Sequence, residues 1–213
     1  MELNRLYNMD CMDGMREMPD KFFDLAIVDP PYGIKVSNNM GRRKGDPKSK
    51  FKKIDWDNDA PPKEYFVELE RVSKLQIIFG ANHFLDRIPT VHSCWIVWDK
   101  KFSPDVGFAS FEMALVSNDT ACKRIVLSSV QKDRIHPTQK PVELYMWLLD
   151  RYAHPGDKIL DTHVGSASSL IACHRMGCAY VGYEIDKQYH NDALTRLQAE
   201  MKQVSIMEGT KND

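Results

Sequence analysis

The chain has 213 residues, 43% of them hydrophobic, which suits one domain of ordinary size that buries most of its apolar surface. Its formal net charge is -1, so it is not a general nucleic-acid-coating protein, and any affinity for nucleic acid has to come from a local patch. The cysteines at 11, 94, 122, 173 and 178 form no Cys-x-x-Cys pair, and the opening Met1-Glu2-Leu3-Asn4-Arg5 has no secretory apolar core. No run approaches the roughly 18 consecutive apolar residues of a membrane span. These features predict an intracellular, cytoplasmic protein with reduced thiols and no membrane partner.

Short apolar runs that end at acidic residues alternate with helical patterns, as strands and crossover helices do around a largely parallel sheet. The first run is Arg5-Leu6-Tyr7-Asn8-Met9, ending at Asp10; the second is Asp24-Leu25-Ala26-Ile27-Val28, ending at Asp29. Pro30-Pro31 follows and cannot continue a central strand, so the chain must turn there. Residues 35 to 53 carry Lys35, Arg42, Arg43, Lys44, Lys48, Lys50, Lys52 and Lys53 against the single acid Asp46. This composition predicts a long, mobile, basic loop over 33–56, which is either a solvated loop or a candidate for gripping the phosphates of a nucleic acid.

Pro62 to Lys74 has the spacing of an amphipathic helix through Tyr65, Phe66, Leu69 and Val72, and Leu75 to Phe79 reads as a buried strand. Strands are predicted over 94–98 and 111–116, a helix from Pro141 to about Tyr152, and a strand over Lys158-Ile159-Leu160 that ends at Asp161. Val164 to Ser169 turns into a helix reaching about Met176. Tyr180 to Tyr183 is a strand ending at Glu184, and a last helix runs from about Lys187 to Lys202. A single domain over 1–207 with a frayed tail at 208–213 is expected.

In a doubly wound sheet, Asp10, Asp29, Asp161 and Glu184 would gather along the carboxyl edge, where ligands bind. Any one acid at a strand end is explained by capping the next turn, but four together favour hydroxyl, amine or cationic ligand groups. The turn from Asp161 to Ala167 lacks the G-x-G-x-x-G spacing of dinucleotide enzymes and the Gly-Lys-Ser/Thr ending of a phosphate loop. Glu184, about 20 residues on, stands where an acid takes ribose hydroxyls. A ribose-bearing cofactor without phosphates fits both facts.

Asp29-Pro30-Pro31-Tyr32 removes two N–H donors beside three acceptors, the Asp29 and Pro30 carbonyls and the Asp29 carboxylate, with an aromatic face next to them. That set suits a planar ring bearing an amino group, such as a flipped adenine or cytosine. No cysteine stands in a nucleophile context, and the His and Cys residues lack metal-ligand spacing, so no metal is expected.

In this order the motifs resemble those of the amino-methylating (N6-adenine and N4-cytosine) DNA methyltransferases, in the permuted arrangement with the catalytic motif before the cofactor motif. Asp29-Pro30-Pro31-Tyr32 resembles the catalytic motif, His136-Pro137-Thr138-Gln139-Lys140-Pro141 the H-P-T-x-K-P segment, and Asp161 to Ser168 and Val181 to Asp186 the two cofactor motifs. The resemblance implies a doubly wound, mostly parallel Rossmann-like α/β sheet with helices on both faces, S-adenosyl-L-methionine (SAM) as cofactor, and double-stranded DNA as partner. By resemblance Asp10 and Cys11 hold the adenine of SAM and Glu184 its ribose. His136, Thr138, Lys140, Asp161 and Gly165 surround its methionine portion, with Ser166 and Ile185 among the cofactor contacts. Asp29, Pro30, Pro31 and Tyr32 are then catalytic, and Asp at position 29 points to adenine N6.

Two departures stand out. The family's cofactor turn usually reads D-P-F-x-G-S-G-T, whereas Thr162, His163, Ala167 and Ser168 stand here. Ala167 is expected to demand ordinary dihedrals and to weaken SAM binding, and His163 to pack or to face solvent. In addition, the short stretch between Ser117 and His136 has no room for a large target-recognition domain. Cytosine N4 chemistry, a noncatalytic DNA-binding relative with a degraded SAM turn, and RNA or protein amide substrates stay open, as do a homodimer and a partner nuclease in a restriction-modification pair.

Overall fold

A computed structural model describes residues 1–35, 57–103 and 109–209. Among the described residues, eight strands and five α-helices follow in this order: β1 Arg5–Tyr7, α1 Cys11–Arg16, β2 Phe23–Val28, α2 Lys63–Val72, β3 Ser73–Phe79, β4 Trp95–Asp99, β5 Phe111–Val116, β6 Lys123–Val126, α3 Val142–Tyr152, β7 Lys158–Asp161, α4 Ser168–Arg175, β8 Ala179–Tyr183 and α5 Lys187–Gly209. They form one sheet in the order β1-β8-β7-β2-β3-β5-β4-β6. Every pairing is parallel except those of β5 with β3 and β4. The fold is therefore the α/β, Rossmann-like sheet that the alternating pattern implied.

The central strands are mostly apolar along their inner positions because both faces are covered. Along β2, Leu25 and Ile27 join a core with residues of α3, α4 and α5, such as Leu144, Leu148, Leu170 and Ala193. Ala26 and Val28 point the other way, into a core with Met15 of α1 and Tyr65, Phe66 and Leu69 of α2. The period of two along the strand thus splits its side chains between two layers.

Three boundaries and two short elements differ from the sequence expectation. Helix α2 ends at Val72, and β3 begins at Ser73 rather than at Leu75. Ser73 already has an extended backbone, and its hydroxyl donates to the Leu69 carbonyl at 2.5 Å, which ends the helix without a loop. Helix α1 and strand β6 were not foreseen: α1 is six residues long, and β6 is an edge strand with only Ile125 buried. Neither has enough apolar positions to show a period. Helix α5 continues to Gly209, past the expected end near Lys202, and the rest of the expected tail lies outside the described residues.

Because β1, β8, β7, β2 and β3 run in one direction, their carboxyl ends share an edge, and Asp10, Glu184, Asp161 and Asp29 lie along it. The reversed strand β5 begins at that same edge, where Glu112 pairs with Trp98 next to the end of β4. A single antiparallel strand therefore brings a further carboxylate to the edge from the start of its strand.

Candidate active site

The loop after β2 is pinned from two sides. Asp57 Oδ1 accepts hydrogen bonds from the backbone N–H groups of Tyr32 at 2.7 Å and Gly33 at 3.0 Å. The Tyr32 ring lies against Gly80, which ends β3 with a left-handed φ of 66°; a Cβ built there would come within 2.1 Å of the ring. Glycine is needed at position 80 for both its dihedral and the space above it. Tyr32 stacks on His83, with centroids 5.2 Å apart and planes 16° from parallel.

The Asp29 carboxylate is not free, as the sequence reading had it. Tyr32 OH donates to Oδ1 at 2.7 Å and Lys140 Nζ to Oδ2 at 2.5 Å. Lys140 Nζ is also 3.0 Å from Glu112 Oε2, and Lys100 Nζ lies 2.5 Å from Glu112 Oε1. Lys140 sits 4.8 Å over the Phe79 ring with a side chain only 4% exposed. Burial pushes its ammonium pKa down, but the Asp29 and Glu112 charges outweigh this and hold it above the ordinary lysine value. Burial likewise pushes Glu112 up, yet the Lys140 and Lys100 charges bring it down to about 2. Two carboxylates and two ammonium groups thus neutralise each other. Lys140, expected beside the methionine portion of a cofactor, stands on the Asp29 side of the site. Tyr32, His83, Lys100 and Glu112 converge there from four separate chain segments, and neither Lys100 nor Glu112 belongs to a motif that sequence reasoning could have used.

The other half of the edge has a different character. Asp161 ends β7, and its oxygens accept from the Ser169 hydroxyl and, at 2.9 Å, from the His163 backbone N–H. Burial raises its pKa to about 7 despite these bonds, with the charges of Asp29 and Glu184 adding to the rise. Glu184 closes the cofactor turn by accepting from Gly165 N–H and Asp186 N–H, each at 2.9 Å, and burial raises its pKa too. Among the described residues neither acid has a Lys or Arg partner within ion-pair distance.

Asp10 is exposed and caps α1 by accepting from Met12 N–H at 2.8 Å. Cys11, the first residue of that helix, is buried, and burial together with the Asp10 charge pushes its thiol up to about 12, so it is no nucleophile. His136 is buried against Gly165 and Tyr189; burial and the charges of Arg134 and Lys140 lower it to about 4, so it is neutral at pH 7 and shares a 3.1 Å hydrogen bond with the Thr138 hydroxyl. Ser166 is buried beside Ser168, and Ile185 is 69% exposed.

Gly165 and Ala167 both adopt left-handed dihedrals, φ 55° and 63°. The expectation that Ala167 demands ordinary dihedrals is therefore corrected: the turn keeps the glycine-like conformation, and the buried methyl group is accommodated at a cost of ~1 to 2 kcal/mol. His163 is drawn inward, 5.6 Å from the Tyr65 ring, with Nδ1 2.9 Å from the Thr162 hydroxyl, which is itself 2.6 Å from Tyr65 OH. Burial lowers its pKa to about 4, so it packs as a neutral ring. Of the basic residues proposed for DNA, Lys35 is exposed, while Arg42, Arg43, Lys44, Lys48, Lys50, Lys52 and Lys53 lie outside the described residues.

Solved structures share this mostly parallel α/β sheet. The M1.HpyAVI–SAM complex superposes with a TM-score of 0.61 at 18% identity, covering 91% of this chain and 98% of that one. The cytosine-N4-specific PvuII DNA methyltransferase gives 0.63 at 11% identity, covering 90% and 85%. In sequence, YubD of Escherichia coli (strain K12), whose name marks it as a proposed methylase, is 25% identical over 231 residues, covering 99% of this chain and 96% of that one. Residues 89–195 match the N6/N4 methyltransferase family described as DNA methylase. The chain belongs to this DNA methylase family.

Proposed function

We propose that the chain transfers a methyl group from SAM to the exocyclic N6 of adenine in a base flipped out of double-stranded DNA. The observation that carries this reading is the placement of Asp29 at the end of β2, the strand next to β7, which ends in Asp161. An acceptor for an amino group and a buried carboxylate without a cation thus face the same edge. The acid-only set of Asp10, Asp161 and Glu184 fits hydroxyl and ammonium groups rather than phosphates, and Gly165 leaves a backbone path that a side chain would narrow against His136. Glu184 would take ribose hydroxyls, Asp10 and Cys11 the adenine end, and Asp161, His136 and Thr138 the methionine end. SAM supplies an electrophilic methyl group on a cationic sulfur.

An adenine amino nitrogen is a poor nucleophile because its lone pair is delocalised into the ring. Asp29 and the Pro30 carbonyl accept its two N–H groups and favour a pyramidal nitrogen, with Tyr32 orienting the ring. Asp29 would accept the proton that the nitrogen gives up on methylation. Digesting methylated DNA to nucleosides and identifying the product tests this: N6-methyladenine is expected, whereas N4-methylcytosine would move the assignment to the chemistry named for the PvuII enzyme. The basic segment from Lys35 to Lys53 grips phosphates in this reading. Replacing Arg42, Arg43 and Lys44 by Ala should then reduce the slope of log affinity against log salt by up to ~2.7; an unchanged slope would remove the segment from the interface.

A further inference from the structure

An amino group of a target base that bonds to Asp29 competes there with the donors the carboxylate already holds. Oδ1 holds the Tyr32 hydroxyl and Oδ2 the Lys140 ammonium. Stripping the buried ammonium of its acceptor without replacement is strongly unfavourable. A replacement stands 3.0 Å from Lys140 Nζ in Glu112 Oε2. That oxygen is buried with the Lys140 ammonium as its ion-pair partner, while Lys100 holds the other oxygen, Oε1, of the same carboxylate.

The geometry points to Glu112 as a positioning residue: it receives the Lys140 ammonium when the target amino group takes that ammonium's place on Asp29. The inference rests on the reading of Asp29 as the amino-group acceptor. The exchange replaces the N–H···O bond from Lys140 to Oδ2 of Asp29 by one from the target amino group and leaves the ammonium on Oε2 of Glu112, which it already contacts; no proton is transferred, and two positive and two negative charges stay in the cluster before and after.

The groups around Lys140 come from every neighbouring element. Asp29 and Tyr32 come from the loop after β2, Phe79 from β3, Glu112 from β5, Lys100 from beyond β4 through Glu112, and His136 from its own segment. Only the two carboxylates balance its charge. Lys100 serves the exchange by keeping Glu112 ionised, so that an anionic oxygen is always present to receive Lys140. Removing the charge at position 112 would pin the ammonium on Asp29 and, with one carboxylate fewer, make it easier to deprotonate.

The test measures methylation of DNA from a methylation-deficient host with labelled SAM between pH 7 and 10, for wild type, E112Q, E112D and D29A. E112Q should lose on the order of 10- to 100-fold in kcat near pH 7.5, with KM for SAM changed by less than about twofold. It should regain much of that loss as the pH rises and Lys140 sheds its proton, and E112D, which keeps the charge, should stay close to wild type. A kcat for E112Q equal to wild type, or a loss that is the same at every pH, would overturn the exchange while D29A still reports on the reaction itself. Equal silence of wild type and D29A on DNA would overturn the underlying reading instead.

Discussion

The two halves of the carboxyl edge hold the same kind of side chain in opposite electrostatic states. Around Asp29 the carboxylates are matched by Lys140 and Lys100, and Glu112 is held down to about 2. Around Asp161 and Glu184, in the absence of any paired cation among the described residues, burial raises both, Asp161 to about 7. The first half has satisfied itself with its own ammonium groups; the second keeps a carboxylate near neutrality that a cationic ligand would bring to full charge. In the proposed reaction the halves have different tasks: one admits a neutral amino group beside its own ammonium groups, and the other attracts a positive one.

The contrast can be broken most strongly at Asp29. Asp29→Ala removes the acceptor and should lower kcat by at least ~100-fold, with SAM affinity changed little because Asp161 and Glu184 are untouched. Calorimetry with SAM beside a methylation assay separates the two; a matched loss of binding would mean that the halves act as one site.

A smaller effect is expected from pH. With Asp161 near pKa 7 in the free protein, a ligand ammonium group binds its ionised form, so SAM affinity should rise about tenfold from pH 6 to pH 8, with proton release on binding below pH 7. Titrations in buffers of different ionisation enthalpy would show it, and a flat profile would exclude Asp161 as the group facing the ammonium. The stability sign follows from the same raised value. Between about pH 4 and 7 the unfolded chain binds fewer protons at this position than the folded one, so Asp161 makes the fold progressively less stable as pH rises, and the effect is complete above pH 7.

The smallest effect is expected at Ala167. Glycine there would relieve a left-handed alanine but loosen the unfolded chain, so Ala167→Gly should change stability by no more than ~1 kcal/mol, read by denaturant unfolding. A large loss would show that the buried methyl group does more packing than its strain costs.

Much of the site was legible in the sequence because its logic is local. An apolar run followed by an acid marks a strand end, and Pro-Pro forbids continuation, so Asp10, Asp29, Asp161 and Glu184 could be assigned to one edge before any coordinates. The partners of Asp29 were not legible. Lys140 follows it by 111 residues, and Glu112 reaches the edge only because β5 runs backwards, which no pattern inside Phe111–Val116 reveals. The same holds for Ala167: its residue type argues against a left-handed dihedral, and the turn imposes one because its backbone is bonded from Val164 O on one side to Ile171 N on the other.

The sequence by itself therefore determined the alternation of strands and helices, the acids at strand ends and the Asp-Pro-Pro-Tyr turn, since each depends on neighbours a few residues away. Only the tertiary structure decided which charges meet. Ion pairing and desolvation depend on distances of a few ångströms between distant segments, and those distances are set by strand order and direction.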